Sequence, residues 1–198
     1  AWAFFRNGSQ TSNTTVFRIF ASILPGNWED VGYGDIQYPS YINPVFVGGD
    51  GTFLRAAQFI DKQPLFSVNS DVKNKEGFFM QSDKNDFEEK LKKIMKDNIK
   101  IKKLPRLEAY INNRKIETPA LNEFYIGPRK SYHAAKYVVE INGKMERQKS
   151  SGILITTPIG SYAWAKSCCN KTILLNSKSY QFVVREPYEG QVFKNYKL

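Results

Sequence analysis

The sequence has a single histidine, His133, and only two cysteines, adjacent at Cys168 and Cys169. Neighbouring cysteines rarely reach disulfide geometry without strain, so no structural disulfide is expected and the chain reads as one kept in a reducing compartment. Without a Cys/His cluster there is no candidate zinc site, no residue is assigned as a metal ligand, and His133 reads as a surface or turn residue. No apolar run approaches the ~20 residues needed to cross a bilayer, so a soluble protein with no membrane partner is expected. Acidic residues are also scarce: 19 Asp and Glu stand against 29 Lys and Arg, a formal net charge of +10.

That excess predicts a surface attractive to something anionic: nucleic acid, acidic lipid or a nucleotide polyphosphate. The densest basic run, KLKKIMKDNIKIKK from Lys90 to Lys103, carries Leu91, Ile94, Met95 and Ile99 at spacings that make one apolar helical face, and so reads as a surface helix. It contains no base-stacking aromatics, which argues against a nucleic-acid partner. With 198 residues and 41% hydrophobic content, the chain can fill a core as one large domain or two small ones.

The order of elements gives the fold class. AWAFFR reads as a strand, NGSQTSNTT as a loop offering caps, and VFRIFASIL as a helix. After the Gly-rich PGNWEDVGYGD come the strand NPVFVGG, a helix beginning near Thr52, and a strand at PLFSVNS. Strands alternating with helices predict an N-terminal α/β domain with a doubly wound, Rossmann-like parallel sheet, placed at residues 1–103. From about Leu104 the pattern changes to period-2 runs broken by Asn-Asn and Asn-Gly turn signals, which predicts a β-rich C-terminal domain over residues 104–198.

Three patches carry chemistry. GGDGT, Gly48 to Thr52, joins a strand to a helix and would bring backbone N–H groups and a helix N-terminus close to a phosphate. It lacks the Gly-Lys-Ser/Thr of a Walker loop and the spacing of a dinucleotide fingerprint. Asp50 inside it would repel a phosphate unless a cation intervenes or the carboxylate takes a proton from a nucleophile; the plainer reading is an Asx-turn aspartate. ALNEFYIG sets Asn122 and Glu123 at the start of a strand. SSGILITTPIGSYAWAKS runs a strand, Ile153 to Ile155, into a turn whose hydroxyls and amides could hold ribose or phosphate, with Tyr162 or Trp164 against a base. A strand-turn-helix junction with core aromatics explains that last patch equally well.

Taken together, GGDGT, the Asn122-Glu123 pair and TTPIGSYAW (Thr156 to Trp164), in this order and at these separations, resemble the NAD kinase family. VNSDVKNKEGFF, the SSG before the third motif, Trp164 and VREPYEGQVF resemble its mitochondrial-type branch. The resemblance implies an ATP-dependent kinase that phosphorylates the adenosine ribose 2′-hydroxyl of NAD to give NADP, with the dinucleotide in a cleft between domains. It implies Asp50 as the catalytic base and Gly48, Gly49, Gly51 and Thr52 as the phosphate-facing loop. Asn122, Glu123, Phe78, Phe79, Ala163, Trp164 and Ser167 are implied to contact NAD, and Mg²⁺ to accompany ATP. It further implies a homodimer or homotetramer in mitochondria or cytoplasm, although these residues contain no Arg- and Ser-rich transit segment. Ser151 stands where many members have Asp, Ile159 where Thr or Ser is usual, and Tyr162 where Thr is usual. The chain stops at Leu198, about where the family continues through further strands, so either a truncated second domain or a compact variant whose second domain closes differently is expected.

Two other classes compete. A lipid kinase of the diacylglycerol type shares a similar glycine loop but leaves Asn122-Glu123 and TTPIGSYAW unexplained. A non-catalytic nucleotide-binding module would keep the contacts and lose turnover.

Overall fold

The computed structural model describes residues 3–7, 17–19, 42–60, 64–96, 98–193 and 196–197. The chain divides into two compact units, one of Thr11–Lys103 and one of Ala1–Gln10 with Leu104–Leu198. Strand β1 (Ala3–Asn7) does not open the parallel sheet as its sequence position suggested. It pairs antiparallel with β5 (Leu107–Ile111), Phe5 opposite Ala109, a partnership across a hundred residues that local pattern cannot reveal.

The first unit is built on a three-stranded parallel sheet. Its order is β2 (Phe17–Ile19), β3 (Ile42–Gly48), β4 (Phe66–Asn69). Phe17–Ile19 was expected to be helical; it forms a short strand beside β3. Phe-Arg-Ile fits period 2 as well as the longer run fits 3.6, and the tertiary partner decides between them. The rest of that expected helix, with NGSQTSNTT and PGNWEDVGYGD, lies outside the described residues.

Helix α1 (Asp50–Gln58) connects β3 to β4. Its buried residues Phe53, Ala56 and Ala57, with Ile60 just beyond, recur at i, i+3, i+4 and i+7, the stripe a surface helix turns inward. Helix α2 (Phe87–Met95) follows β4, burying Ile94 against Val45, Phe66 and Val68. Its outer face carries Glu88–Lys92 and Glu89–Lys93 pairs at 2.6 and 2.5 Å, solvent-exposed i,i+4 contacts that add little to stability. Sequence periodicity extended this helix to Lys103, but it stops at Met95. From Asn98 onward Ile99 and Ile101 alternate with lysines; Ile99 still packs on the cluster, while Met95 is exposed.

The second unit is antiparallel. β5 turns through Asn112-Asn113 into β6 (Arg114–Lys115), and β8 (Ala135–Ile141) turns through Asn142-Gly143 into β9 (Lys144–Ser150). Both turn pairs have positive φ at both positions, the backbone a two-residue hairpin requires. A further sheet has the order β11 (Gln181–Arg185), β10 (Gly152–Thr156), β7 (Glu123–Ile126), with β10 buried at every position. Ile153 and Ile155 join Leu107 on one side. On the other, Leu154 and Val183 pack under Ala165 of helix α3 (Trp164–Cys169), alongside the free Cys168 and Cys169. No helix among the described residues is long and apolar enough to cross a membrane.

Candidate functional site

In the first unit the chemistry gathers at the C-terminal ends of β3 and β4, the edge where open α/β sheets bind ligands. Gly48 and Asn69 are register partners there, and the Ser70 amide donates back to the Gly48 carbonyl at 3.0 Å. Gly49 is extended, so the helix begins on Asp50. The Asp50 carboxylate then reaches the following crossover: Oδ1 accepts the Phe79 amide at 2.8 Å and Oδ2 the Phe78 amide at 3.1 Å.

That crossover is itself fixed. Ser67, fully buried in β4, donates its hydroxyl to the Phe79 carbonyl at 2.5 Å, and the Gln81 amide donates to the Ser67 carbonyl at 3.0 Å. The Phe79 ring stacks on Phe53 with centroids 4.6 Å apart, nearly parallel. Of the two phenylalanines expected near a base, Phe79 therefore spends its ring on the core. Phe78 stands at right angles to it and is 48% exposed.

Within the glycine loop, Thr52 packs where a side chain on Gly48 would stand, and the stem of Lys75 lies over Gly49. Lys75 donates to Ser70 Oγ at 2.7 Å, which sets a cation at the rim of the loop that the sequence reading did not single out. Gly51 is different. It is exposed, has nothing within 4 Å of a would-be Cβ, and sits inside a helix. Glycine in a helix costs up to about 1 kcal/mol relative to alanine, less in the first turn where Gly51 stands, and no internal packing reason accounts for it.

In the second unit, strand pairing sets Glu123 opposite Thr156 and so joins two of the sequence patches. The Asn122 carbonyl accepts the Thr157 amide at 2.8 Å and the Thr156 hydroxyl at 3.1 Å. Thr157 Oγ1 donates to the Leu121 carbonyl at 2.6 Å and accepts the Gly160 amide at 3.0 Å. Gly160 passes so close that a Cβ on it would lie 2.1 Å from the Asn122 carbonyl oxygen, which only glycine permits. Ser161 Oγ donates to the Pro158 carbonyl and accepts the Ile173 amide. The hydroxyls of Thr156, Thr157 and Ser161, read from sequence as possible ribose or phosphate ligands, are thus buried and spent on shaping the turn.

What the turn leaves open are two side-chain acceptors. Asn122 Oδ1 and Glu123 Oε2 are both buried with no hydrogen-bond partner, and burial pushes the Glu123 carboxyl above the usual glutamate range. An unmade hydrogen bond at a buried acceptor is unfavourable, and a ligand hydroxyl or amide would relieve it. Ala163 links a short 3₁₀ turn, Gly160–Tyr162, to α3; Trp164 is 39% exposed and Ser167 lies on the exposed side of that helix. Tyr125 and Arg185, also missed by the sequence reading, flank Trp164. Among the described residues no three His, Cys, Asp or Glu side chains gather as a metal site.

These elements define a class: a parallel α/β unit bearing a glycine-aspartate loop, joined to an antiparallel unit with an Asn-Glu strand start. Residues 44–99 match the family model described as the ATP-NAD kinase N-terminal domain. The chain is 32% identical over 139 residues to the bifunctional NADP phosphatase/NAD kinase of Methanocaldococcus jannaschii, covering 67% of this chain and 23% of that one. It is 24% identical over 190 residues to the NAD kinase of Thermoplasma volcanium, covering 90% and 68%. Among solved structures it resembles an NAD kinase from Archaeoglobus fulgidus in complex with ATP, with a TM-score of 0.64 and 25% identity over 74% of this chain and 57% of that one. Across both units the chain is similar to members of the ATP-NAD kinase family. It spans only part of most of these relatives' length.

Proposed function

We propose that the chain is the NAD- and ATP-binding part of an NAD kinase, which moves the γ-phosphoryl group of ATP to the adenosine ribose 2′-hydroxyl of NAD⁺. The observation that carries this reading is the Asp50 carboxylate, held at the ligand-binding edge of a parallel sheet by the amides of Phe78 and Phe79. Each carboxylate oxygen accepts one backbone N–H and retains a second lone-pair direction. Asp50 is therefore oriented without being used up. In the proposed step it takes the hydroxyl proton as the ribose oxygen bonds to Pγ, the bond from Pγ to the β,γ-bridging oxygen breaks, and ADP leaves.

General-base help of this kind contributes about 10²–10⁴-fold, the rest coming from in-line positioning and charge neutralisation. The bare backbone at Gly51 gives the phosphates room, and Lys75 adds positive charge at the rim of the loop. Mg²⁺ would enter on the ATP phosphates with its own waters, supplying charge neutralisation with no carboxylate cage from the chain. Asn122 Oδ1 and Glu123 Oε2 are the acceptors assigned to NAD⁺, Trp164, Phe78, Ala163 and Ser167 its flanking contacts.

A non-catalytic dinucleotide-binding module draws support from the same grip, because an aspartate holding two amides already has a structural role. Incubation with ATP, Mg²⁺ and NAD⁺, followed by detection of NADP⁺, separates the two. The kinase reading expects product, and NAD⁺ binding without product sinks it in favour of the module.

A further inference from the structure

The stack around Trp164 contains more than a base-facing tryptophan requires. Alternate residues of paired strands share a face of a sheet. Arg185 is the register partner of Gly152, and Tyr125 that of Leu154, so Arg185, Gly152, Leu154 and Tyr125 lie on one face of β11-β10-β7. Gly152 has φ +125°, and a Cβ on it would meet Tyr125 Cε2 at 2.6 Å. The Tyr125 ring thus crosses the space that any other residue at 152 would fill, and its hydroxyl is pinned to the Ser151 carbonyl at 2.7 Å. With the central strand bare at that point, a ring from one flanking strand and a guanidinium from the other approach each other. Arg185 Cζ lies 5.7 Å from the Tyr125 centroid and 4.7 Å from that of Trp164, and the two rings are 5.2 Å apart.

A guanidinium this close to two aromatic faces is held by their quadrupoles. Its other ties are weak: Arg185 Nε is buried without a hydrogen-bond partner, and the carboxylate of Glu186 stands 3.3 Å from a terminal nitrogen. The rings themselves remain 39% exposed. A buried donor sacrificed to a cation over two exposed rings makes little sense as core packing. It makes sense as a brace that holds the two rings, tilted 41° to each other, in one arrangement.

We infer that Arg185 is a positioning residue that fixes Trp164, with Tyr125 tilted beside it, as the stacking surface for a planar heteroaromatic ring. This rests on the NAD-binding reading above, the ring being one of the two bases of the dinucleotide. Arg185 acts through the indole, and Gly152 is the residue that lets the brace close.

The test uses the whole chain. Arg185→Met keeps the aliphatic reach and removes charge and plane, Arg185→Lys restores the charge, and Trp164→Ala removes the platform. NAD⁺ affinity is measured by calorimetry, and KM for each substrate with kcat by NADP⁺ formation. Arg185→Met is expected to weaken NAD⁺ binding and raise its KM about tenfold, with kcat and the KM for ATP within about twofold of the parent. Arg185→Lys recovers part of the loss. In the Trp164→Ala chain, Arg185→Met should have almost no further effect, the non-additivity expected of a residue working through its neighbour. An equal loss with and without Trp164, or no loss at all, overturns the inference. Acrylamide quenching of Trp164 in a Trp2→Phe/Trp28→Phe background provides a separate reading: Arg185→Met should increase it, and unchanged quenching means there is no brace. If the parent chain does not bind NAD⁺, the kinase reading falls, and the quenching result alone decides whether Arg185 orders the platform.

Discussion

Asp50 and Phe79 are 29 residues apart in sequence, yet the Asp50 carboxylate accepts the Phe79 amide at 2.8 Å while the Phe79 ring stacks on Phe53, one turn along the helix that Asp50 begins. Backbone and ring of one residue therefore tie the same crossover to the same helix. This double tie keeps the carboxylate in one orientation at the end of the sheet.

Asp50→Asn presents an NH₂ group to one of the two amides, which loses its acceptor and meets a donor. An unsatisfied, partly buried N–H costs about 1–3 kcal/mol, and chemical denaturation of the variant should show a loss in that range. Asp50→Ala, which loses both acceptors, should be no more stable than Asp50→Asn. A fully stable Asp50→Asn would mean that the grip contributes little to the fold.

Glu123 gives a pH-dependent prediction. Burial raises its carboxyl pKa in the folded chain, so the folded state holds a proton that the unfolded state has released between the ordinary glutamate value and the raised one. Stability from this group is full below the unfolded pKa and is lost as pH rises through the folded pKa. Glu123→Gln removes the charge without changing the shape. Relative to the parent it should gain stability on going from pH 4 to pH 7, while binding NAD⁺ more weakly. Thermal melts at the two pH values together with calorimetry check both halves.

Gly160→Ala forces a methyl group to within 2.1 Å of the Asn122 carbonyl oxygen, a backbone atom that cannot swing aside. Overpacking of this kind costs about 1–3 kcal/mol or more, and here the top of that range is expected. Denaturant midpoints should drop accordingly, and NAD⁺ affinity should fall as the Asn122-Glu123 turn is pushed apart.

Gly51→Ala separates folding from function in the other direction. Nothing stands within 4 Å of the new methyl group, and alanine favours the helix by up to about 1 kcal/mol. The melting temperature should rise while the KM for ATP increases, because the methyl group would occupy the space proposed for the phosphates. A variant both more stable and unimpaired would remove Gly51 from the phosphate loop.

Much of this layout is visible in the sequence wherever local pattern and tertiary partner agree. The β-branched run into GGDGT, the apolar stripe of α1 and the Asn-Asn and Asn-Gly hairpin turns all carry their own physical reason. Phe17–Ile19 fails because three apolar-polar-apolar residues fit a strand and a helix equally, and only β3 alongside settles it. β1 fails because its partner β5 is about a hundred residues away. Two adjacent phenylalanines cannot reveal that Phe79 turns inward and Phe78 outward. Tyr125, Gly152 and Arg185 look ordinary in sequence, since their relationship exists only across three paired strands. Lys75 escapes notice among neighbouring lysines until its stem is found over Gly49. The hydroxyls of Thr156, Thr157 and Ser161 carry a different lesson: residue type indicated ligand contacts, but the turn consumes them.

The most direct test of the central claim compares the parent chain with Asp50→Asn for NADP⁺ formation from ATP, Mg²⁺ and NAD⁺, with NAD⁺ binding and folding measured on the same samples. The account predicts turnover in the parent and a fall in kcat of about 10²–10⁴-fold in Asp50→Asn, with NAD⁺ binding retained in the folded fraction. A folded Asp50→Asn chain that makes NADP⁺ at the parent rate would contradict it.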